Sequence, residues 1–173
     1  TTAGNTSGLH FARADTDDSP NYAGASIVSQ FPDEQATGQY PRGELAFLTS
    51  TSANTAPSEK MRISAAGNVG IGTVPETFNT VDGAMQVGTR QTLTSFSNDV
   101  GIGYNHYYNS GWKRTNTDVA RRFSSTSTIP FIWQYAASGS AGSAITWSEA
   151  MRITSSGNAT FSGSVTATGG FVG

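Results

Sequence analysis

The densest run of side chains able to grip a ligand is Tyr104-Asn105-His106-Tyr107-Tyr108-Asn109-Ser110-Gly111-Trp112-Lys113-Arg114. Aromatic rings stack on the apolar C–H faces of sugars, while amide, imidazole and cationic neighbours take the hydroxyls. Strand alternation puts Tyr104, His106 and Tyr108 on one face and Tyr107 on the other. Trp112 lies beyond an Asn109-Ser110-Gly111 turn. The candidate ligand-binding set is therefore His106, Tyr107, Tyr108, Trp112, Lys113 and Arg114. The competing reading of these rings is core and intersubunit packing, which is the preferred one for Tyr104. An earlier counterpart is thinner: Tyr22, Tyr40 and Arg42, flanked by Pro20 and Pro41.

Catalytic chemistry finds less to work with. His10 and His106 are the only imidazoles, so any Ser-His-Asp arrangement must use one of them. No G-x-S-x-G elbow occurs. Gly70-Ile71-Gly72 and Gly101-Ile102-Gly103 begin like dinucleotide loops but lack a third glycine and a following helix, and they read as strand glycines. Asp15, Asp17 and Asp18 form the densest acidic cluster and are weak candidates for a cation. The spacing of a complete calcium loop is absent, and a solvated loop is the plainer reading. Glycosidase chemistry needs two carboxylates across a groove. Asp15, Asp17, Asp18, Asp33, Glu34 and Glu44 are available, but their spacing establishes no such pair. The expectation is a chain with no catalytic residue, no cofactor and no firm metal site.

The elements that must position these residues read as β-strands. Charged residues make up 13% of the 173-residue chain, about half the ~25% usual in globular proteins. Polarity comes instead from 23 Thr and 22 Ser, with 20 Gly beside them. Thr suits pleated strands, and Gly and Ser suit turns. No stretch keeps a 3.6-residue apolar period beyond about two turns. The net charge is −2 with the basic residues scattered, so nucleic acid is a poor partner. The apolar runs are too short for a membrane-spanning helix. The absence of cysteine removes disulfides and thiolate zinc sites. Thr1 is not a start residue, which suggests an internal or processed fragment.

One unit occurs twice. Residues 58–68 read SEKMRISAAGN and residues 148–158 read SEAMRITSSGN, seven of eleven identical at an offset of 90. Upstream, Gly8-Leu9-His10-Phe11 matches Gly101-Ile102-Gly103-Tyr104. Residues Ser26 to Phe31 loosely match Asp118 to Phe123, and Leu45-Ala46-Phe47 loosely matches Phe131-Ile132-Trp133. Each copy is then a module of four or five strands closing in a Met-Arg-Ile hairpin. The hairpin turns are Ala66-Gly67-Asn68 and Ser156-Gly157-Asn158, whose Gly and Asn tolerate positive φ. Alternation puts Ile145, Trp147, Met151 and Ile153 on one face with Arg152 opposite, and Met61 and Ile63 opposite Lys60 and Arg62. Glu59 and Glu149 then interrupt the apolar face. Each either reaches an arginine on the same or a neighbouring chain, or is turned outward by a bulge.

Each hairpin is followed by sparser texture. In 78–88, Phe78, Val81, Met85 and Val87 are spaced by small and polar residues, as are Phe161, Val165 and Phe171 in 161–173. A single strand of this kind cannot bury enough to stay ordered, whereas three copies wound together can; a flexible linker is the alternative. The domain reading is a first module over 1–72, a stalk or linker over 73–99, a second module over 100–160 and a C-terminal stalk strand over 161–173. The fold class expected is all-β, with tandem small antiparallel β-sandwich-like knobs joined by intertwined triple-stranded stalks.

The strings MRISAAGNVGIGT-x-P and MRITSSGN-x-x-F-x-G-x-V resemble segments of phage tail fibres and tailspikes just upstream of an endosialidase-type intramolecular chaperone. The resemblance covers about a third of the chain. It implies a homotrimer, a place in the virion outside the cell, other tail or fibre proteins as partners, and a host-surface glycan or protein as receptor. In that family the chaperone cuts itself off through a serine–lysine dyad, and Gly173 lies about where that release falls. No protease activity is carried over. Two alternatives remain beside the fibre: a polysaccharide-depolymerising tailspike segment, and a bacterial extracellular adhesin or filament subunit.

Overall fold

The computed structural model describes residues 6–12, 23–31, 40, 42–52, 55–79, 82–96 and 98–166. Among them are fourteen β-strands and no helix, so the chain is all-β. Asp15, Asp17, Asp18, Pro20, Tyr22, Asp33, Glu34, Pro41, Val81 and Phe171 lie outside the described residues. The chain divides into two compact units, one of residues 1–78 and 83–89, the other of residues 79–82 and 90–173.

In the first unit β1 (Thr6–Ala12), β2 (Ala23–Gln30), β3 (Glu44–Thr49), β4 (Ser58–Ile63) and β5 (Val69–Ile71) form an antiparallel meander. The chain then crosses over and returns as β6 (Gly83–Val87), which pairs with β5 in parallel. The crossover lies against the sheet. Gln86 is buried there and accepts from the Glu76 amide at 2.9 Å through its side-chain carbonyl.

The second unit repeats the meander. Its sheet runs β7 (Gln91–Phe96), β8 (Asp99–Tyr104), β11 (Asp118–Thr126), β12 (Phe131–Gly139), β13 (Ser148–Ile153) and β14 (Ala159–Phe161). Between β8 and β11 the chain makes a separate two-stranded hairpin, β9 (Tyr107–Tyr108) and β10 (Trp112–Lys113). Within the 73–99 segment, read from the sequence as stalk or linker, β6 and β7 each pair with a strand of their own unit.

The pairing tests the sequence repeat strand by strand. Leu9 faces Ile27 as Ile102 faces Phe123, so β1 corresponds to β8 in the expected register. Leu45 faces Ile63 as Phe131 faces Ile153, which also upholds that match. The middle match is corrected: Ile27, rather than Phe31, occupies the place of Phe123. That stretch has little side-chain identity to anchor it, so only the hydrogen-bonding partners fix its register.

Both Met-Arg-Ile strands carry a bulge at the same place. Met61 faces Phe47 while Glu59 faces Leu48, leaving Lys60 as the extra residue. Met151 faces Trp133 while Glu149 faces Gln134, leaving Ala150 extra. The bulge reverses the alternation. It turns Glu59 onto the arginine face, where both its oxygens accept from Arg62 at 2.9 and 2.6 Å, and Glu44 accepts from Arg62 as well. Glu149 likewise accepts from Arg152 at 2.6 Å. The two alternatives left open by the sequence therefore operate together within one chain. The same bulge corrects the expected single face of the second hairpin: Ile145 and Trp147 pack with Ala120 and Ala136, while Met151 and Ile153 face the other way.

The two faces of each sheet differ sharply. On one face of the first unit the paired positions include Leu9, Phe11, Ala25, Ile27, Leu45, Phe47, Met61, Ile63, Val69, Ile71, Met85 and Val87, with Ser7, Ser29 and Thr49 at its edge. In the second unit the same row includes Leu93, Val100, Ile102, Phe123, Phe131, Trp133, Tyr135, Met151, Ile153 and Phe161, interrupted by Gln91, Ser95, Tyr104, Arg121 and Ser125. These rows hold thirteen of the sixteen exposed large apolar residues among those described, so the exposure is organised rather than scattered. The expected sandwich is corrected here: each unit's long strands form one sheet, with no second large sheet among the described residues to cover its apolar row.

Candidate ligand-binding site

The opposite face of the second unit is where the aromatic run goes. Asn105 leaves β8 with φ 61°, which breaks the alternation expected to keep Tyr104, His106 and Tyr108 together. Tyr104 stays on the apolar row. Its hydroxyl donates to Asp118 at 2.8 Å and accepts from Arg90. Asn105 is fully buried and holds the connection in place: its amide donates to the Asn116 and Val119 carbonyls, and its side-chain oxygen accepts from Thr115 and the Asn116 amide.

His106 folds back onto the strand it has just left. A Cβ on Gly103 would lie 2.1 Å from His106 Nε2, so only glycine admits the ring there. His106 is fully buried, 3.3 Å from Thr92 Oγ1, and edge-on to Trp112 and Trp147 at centroid distances of 5.1 and 5.6 Å. Burial, helped by the nearby Arg122 charge, pulls its pKa down to about 3. Arg122 lies 4.5 Å from the Trp112 ring centre and 5.1 Å from that of Trp147, a cation held over two indoles. Its Nε donates to Gln134 at 2.7 Å, and burial lowers its pKa as well.

Arg114 is also buried. Its guanidinium donates to the carbonyls of Asp118, Ala144 and Ala137 at 3.2, 2.7 and 2.6 Å and to the Ser143 hydroxyl at 3.2 Å. This fastens the β9–β10 hairpin to the end of β12 and to the 140–145 loop. Gly139 makes room for it, since a Cβ there would lie 2.8 Å from the guanidinium carbon.

His106 and Arg114 are thus removed from the expected ligand-binding set. Both polar groups are spent on folding the hairpin down, because a half-covered sheet face offers carbonyls that need donors. Tyr107 and Lys113 pair across the hairpin and are half-buried. Tyr108 and Trp112, paired in the same hairpin, are half-buried as well. They meet a ring that sequence reading placed in the stalk. Phe96 stands edge-on to Tyr108 at 4.9 Å and to Trp112 at 5.6 Å. Phe96 in turn faces Asp99 across the β7–β8 pair.

Phe96, Asn98, Asp99, Tyr108 and Trp112 line a shallow depression of about 280 Å³. Burial raises the Asp99 pKa against the lowering effect of Arg122, whose guanidinium lies 3.4 Å away. The signal that could have found Phe96 is the alternation Thr92, Thr94, Phe96, whose first two members are buried. Of the carboxylates considered for glycosidase chemistry, Glu44 is engaged by Arg62. His10 is exposed, with Nδ1 2.8 Å from Ser26 Oγ. No group of three or more potential metal ligands occurs among the described residues. Comparison with protein-family models, curated proteins and solved structures finds no match to this chain.

Proposed function

We propose that this chain is a structural and host-recognising segment of a phage tail fibre that works as a homotrimer without catalysis. The observation that carries the reading is the uncovered apolar row on each unit. Sheets with one apolar face bury it against something, and an organised exposed patch marks an association surface. Copies of the same chain are the partner of matching chemistry, because in a closed ring of three each copy packs its apolar surface against its neighbours about the shared axis. The duplicated module, the hydroxyl-rich composition and the resemblance of both hairpins to fibre segments support a virion location, with other tail proteins and a host-surface glycan or protein as further partners. Receptor contact falls to the aromatic hairpin of the second unit.

Sedimentation equilibrium tests the reading. The expected mass is three times the 18.1 kDa of the chain. A monodisperse monomer at micromolar concentration would overturn it.

A further inference from the structure

The depression lined by Phe96, Asn98, Asp99, Tyr108 and Trp112 has the makeup of a subsite for one sugar ring. We propose that it takes a neutral saccharide, an inference that rests on the receptor-binding role proposed above and narrows its ligand. The rings of Phe96, Tyr108 and Trp112 are packed edge to face at 4.9 to 5.6 Å, so the wall is rigid before any ligand arrives. Apolar C–H faces of a pyranose fit such a wall.

The polar groups at the rim are unspent. The Asn98 side-chain amide and the Tyr108 hydroxyl make no hydrogen bond within the described residues. The Asp99 carboxylate has one long contact, 3.4 Å to Arg122, and its side chain is 24% exposed. The rim therefore offers an acceptor carboxylate, an amide able to donate and accept, and a phenol, which suits vicinal hydroxyls.

Charge decides between sugar classes. Asp99 is the one anionic side chain lining the depression, and the nearest cation, Arg122, is 10% exposed and directed at Gln134 and the two indoles. A uronic or sialic acid carboxylate would meet Asp99 with no free cation beside it, an unpaired like-charge contact. A neutral hexose or deoxyhexose meets no such penalty.

The experiment titrates the full chain with neutral hexose and deoxyhexose oligosaccharides and with matching uronic-acid oligosaccharides, by calorimetry and tryptophan fluorescence. Oligomeric mass is measured on the same samples. Neutral members are expected to bind, and Asp99→Asn and Tyr108→Phe are each expected to weaken binding about tenfold, with melting unchanged for Tyr108→Phe. Tyr108→Phe keeps the ring packing, so a loss of binding there reports on the hydroxyl. Equal or tighter binding of the acidic sugars overturns the inference, as does neutral-sugar binding indifferent to both substitutions. A trimer that binds no saccharide of the panel also overturns it while leaving the association reading intact, whereas a monomer that binds as expected sinks only the association reading.

Discussion

The two copies of the module share a skeleton and differ in what covers it. Strands β1–β5 of the first and β8, β11–β14 of the second have the same pairing order, the same bulge before Met-Arg-Ile and the same Glu–Arg pair. Both present the same apolar row. Among the described residues the second carries β9–β10, and with it come His106, Trp112 and Arg114 and a covered face holding Ala120, Ala136 and Ile145, while residues 13–22, which join β1 to β2 in the first, lie outside the described residues. What is duplicated is the sheet and its apolar row, the surface proposed for association. The described hairpin of the second copy is the surface proposed for receptor contact.

The largest effect should come from the shared row. Phe47→Asp in the first copy and Trp133→Asp in the second each place a charge on the row, where the proposed association would bury apolar surface. Each is expected to shift the sedimenting mass from three chains toward one. Loss in one copy alone would mean that only that module associates.

Arg114→Met probes the β9–β10 hairpin of the second copy. It leaves the Ala137 and Ala144 carbonyls without their donor, an expected loss of about 3 kcal/mol. Hydrogen exchange should localise the damage to β9–β10 and the 140–145 loop. Protection lost equally in the first module would contradict independent stabilisation of the two units.

Gly67→Val and Gly157→Val probe the shared turn. Both glycines have left-handed φ, 82° and 84°, where a β-branched residue costs about 1–2 kcal/mol. Comparable drops in melting temperature are expected for the two variants, and unchanged melting would sink the hairpin equivalence.

A separate effect is the pH slope of the second unit. His106 is held near 3 when folded, against an ordinary value of 6.5. The unfolded chain therefore binds the extra proton first. Stability from this group is full above about pH 6.5 and falls toward pH 3, by about 1.4 kcal/mol per pH unit at most. His106→Gln should flatten that slope in chemical denaturation between pH 6.5 and 4.

Much of the shared skeleton is legible in the sequence, because period-two alternation, the Gly-Asn turns and the repeat all agree on it. Strand types, the opening register of β1 and β8, and the Met-Arg-Ile hairpins follow directly. The bulge was legible only as an alternative, since one extra residue leaves no mark beyond a Glu on the wrong parity. The site was half legible. Tyr108 and Trp112 stand out by type, but Phe96 and Asp99 come from a hairpin that reads as sparse stalk, and His106 and Arg114 look available until their partners are known. Buried hydrogen bonding is a property of three-dimensional neighbours, which alternation does not encode.

The central claim is that the apolar row is buried between copies, and the absence of native cysteine allows a direct test. Leu45→Cys and Ile102→Cys place thiols on the row, and Ser52→Cys and Thr117→Cys place exposed controls off it. In the assembled protein the row thiols should react with a maleimide at least ~10-fold more slowly than the controls, and should match them once the chains are dissociated. Equal reaction rates in the assembly would show that the row stays open to solvent and would contradict the account.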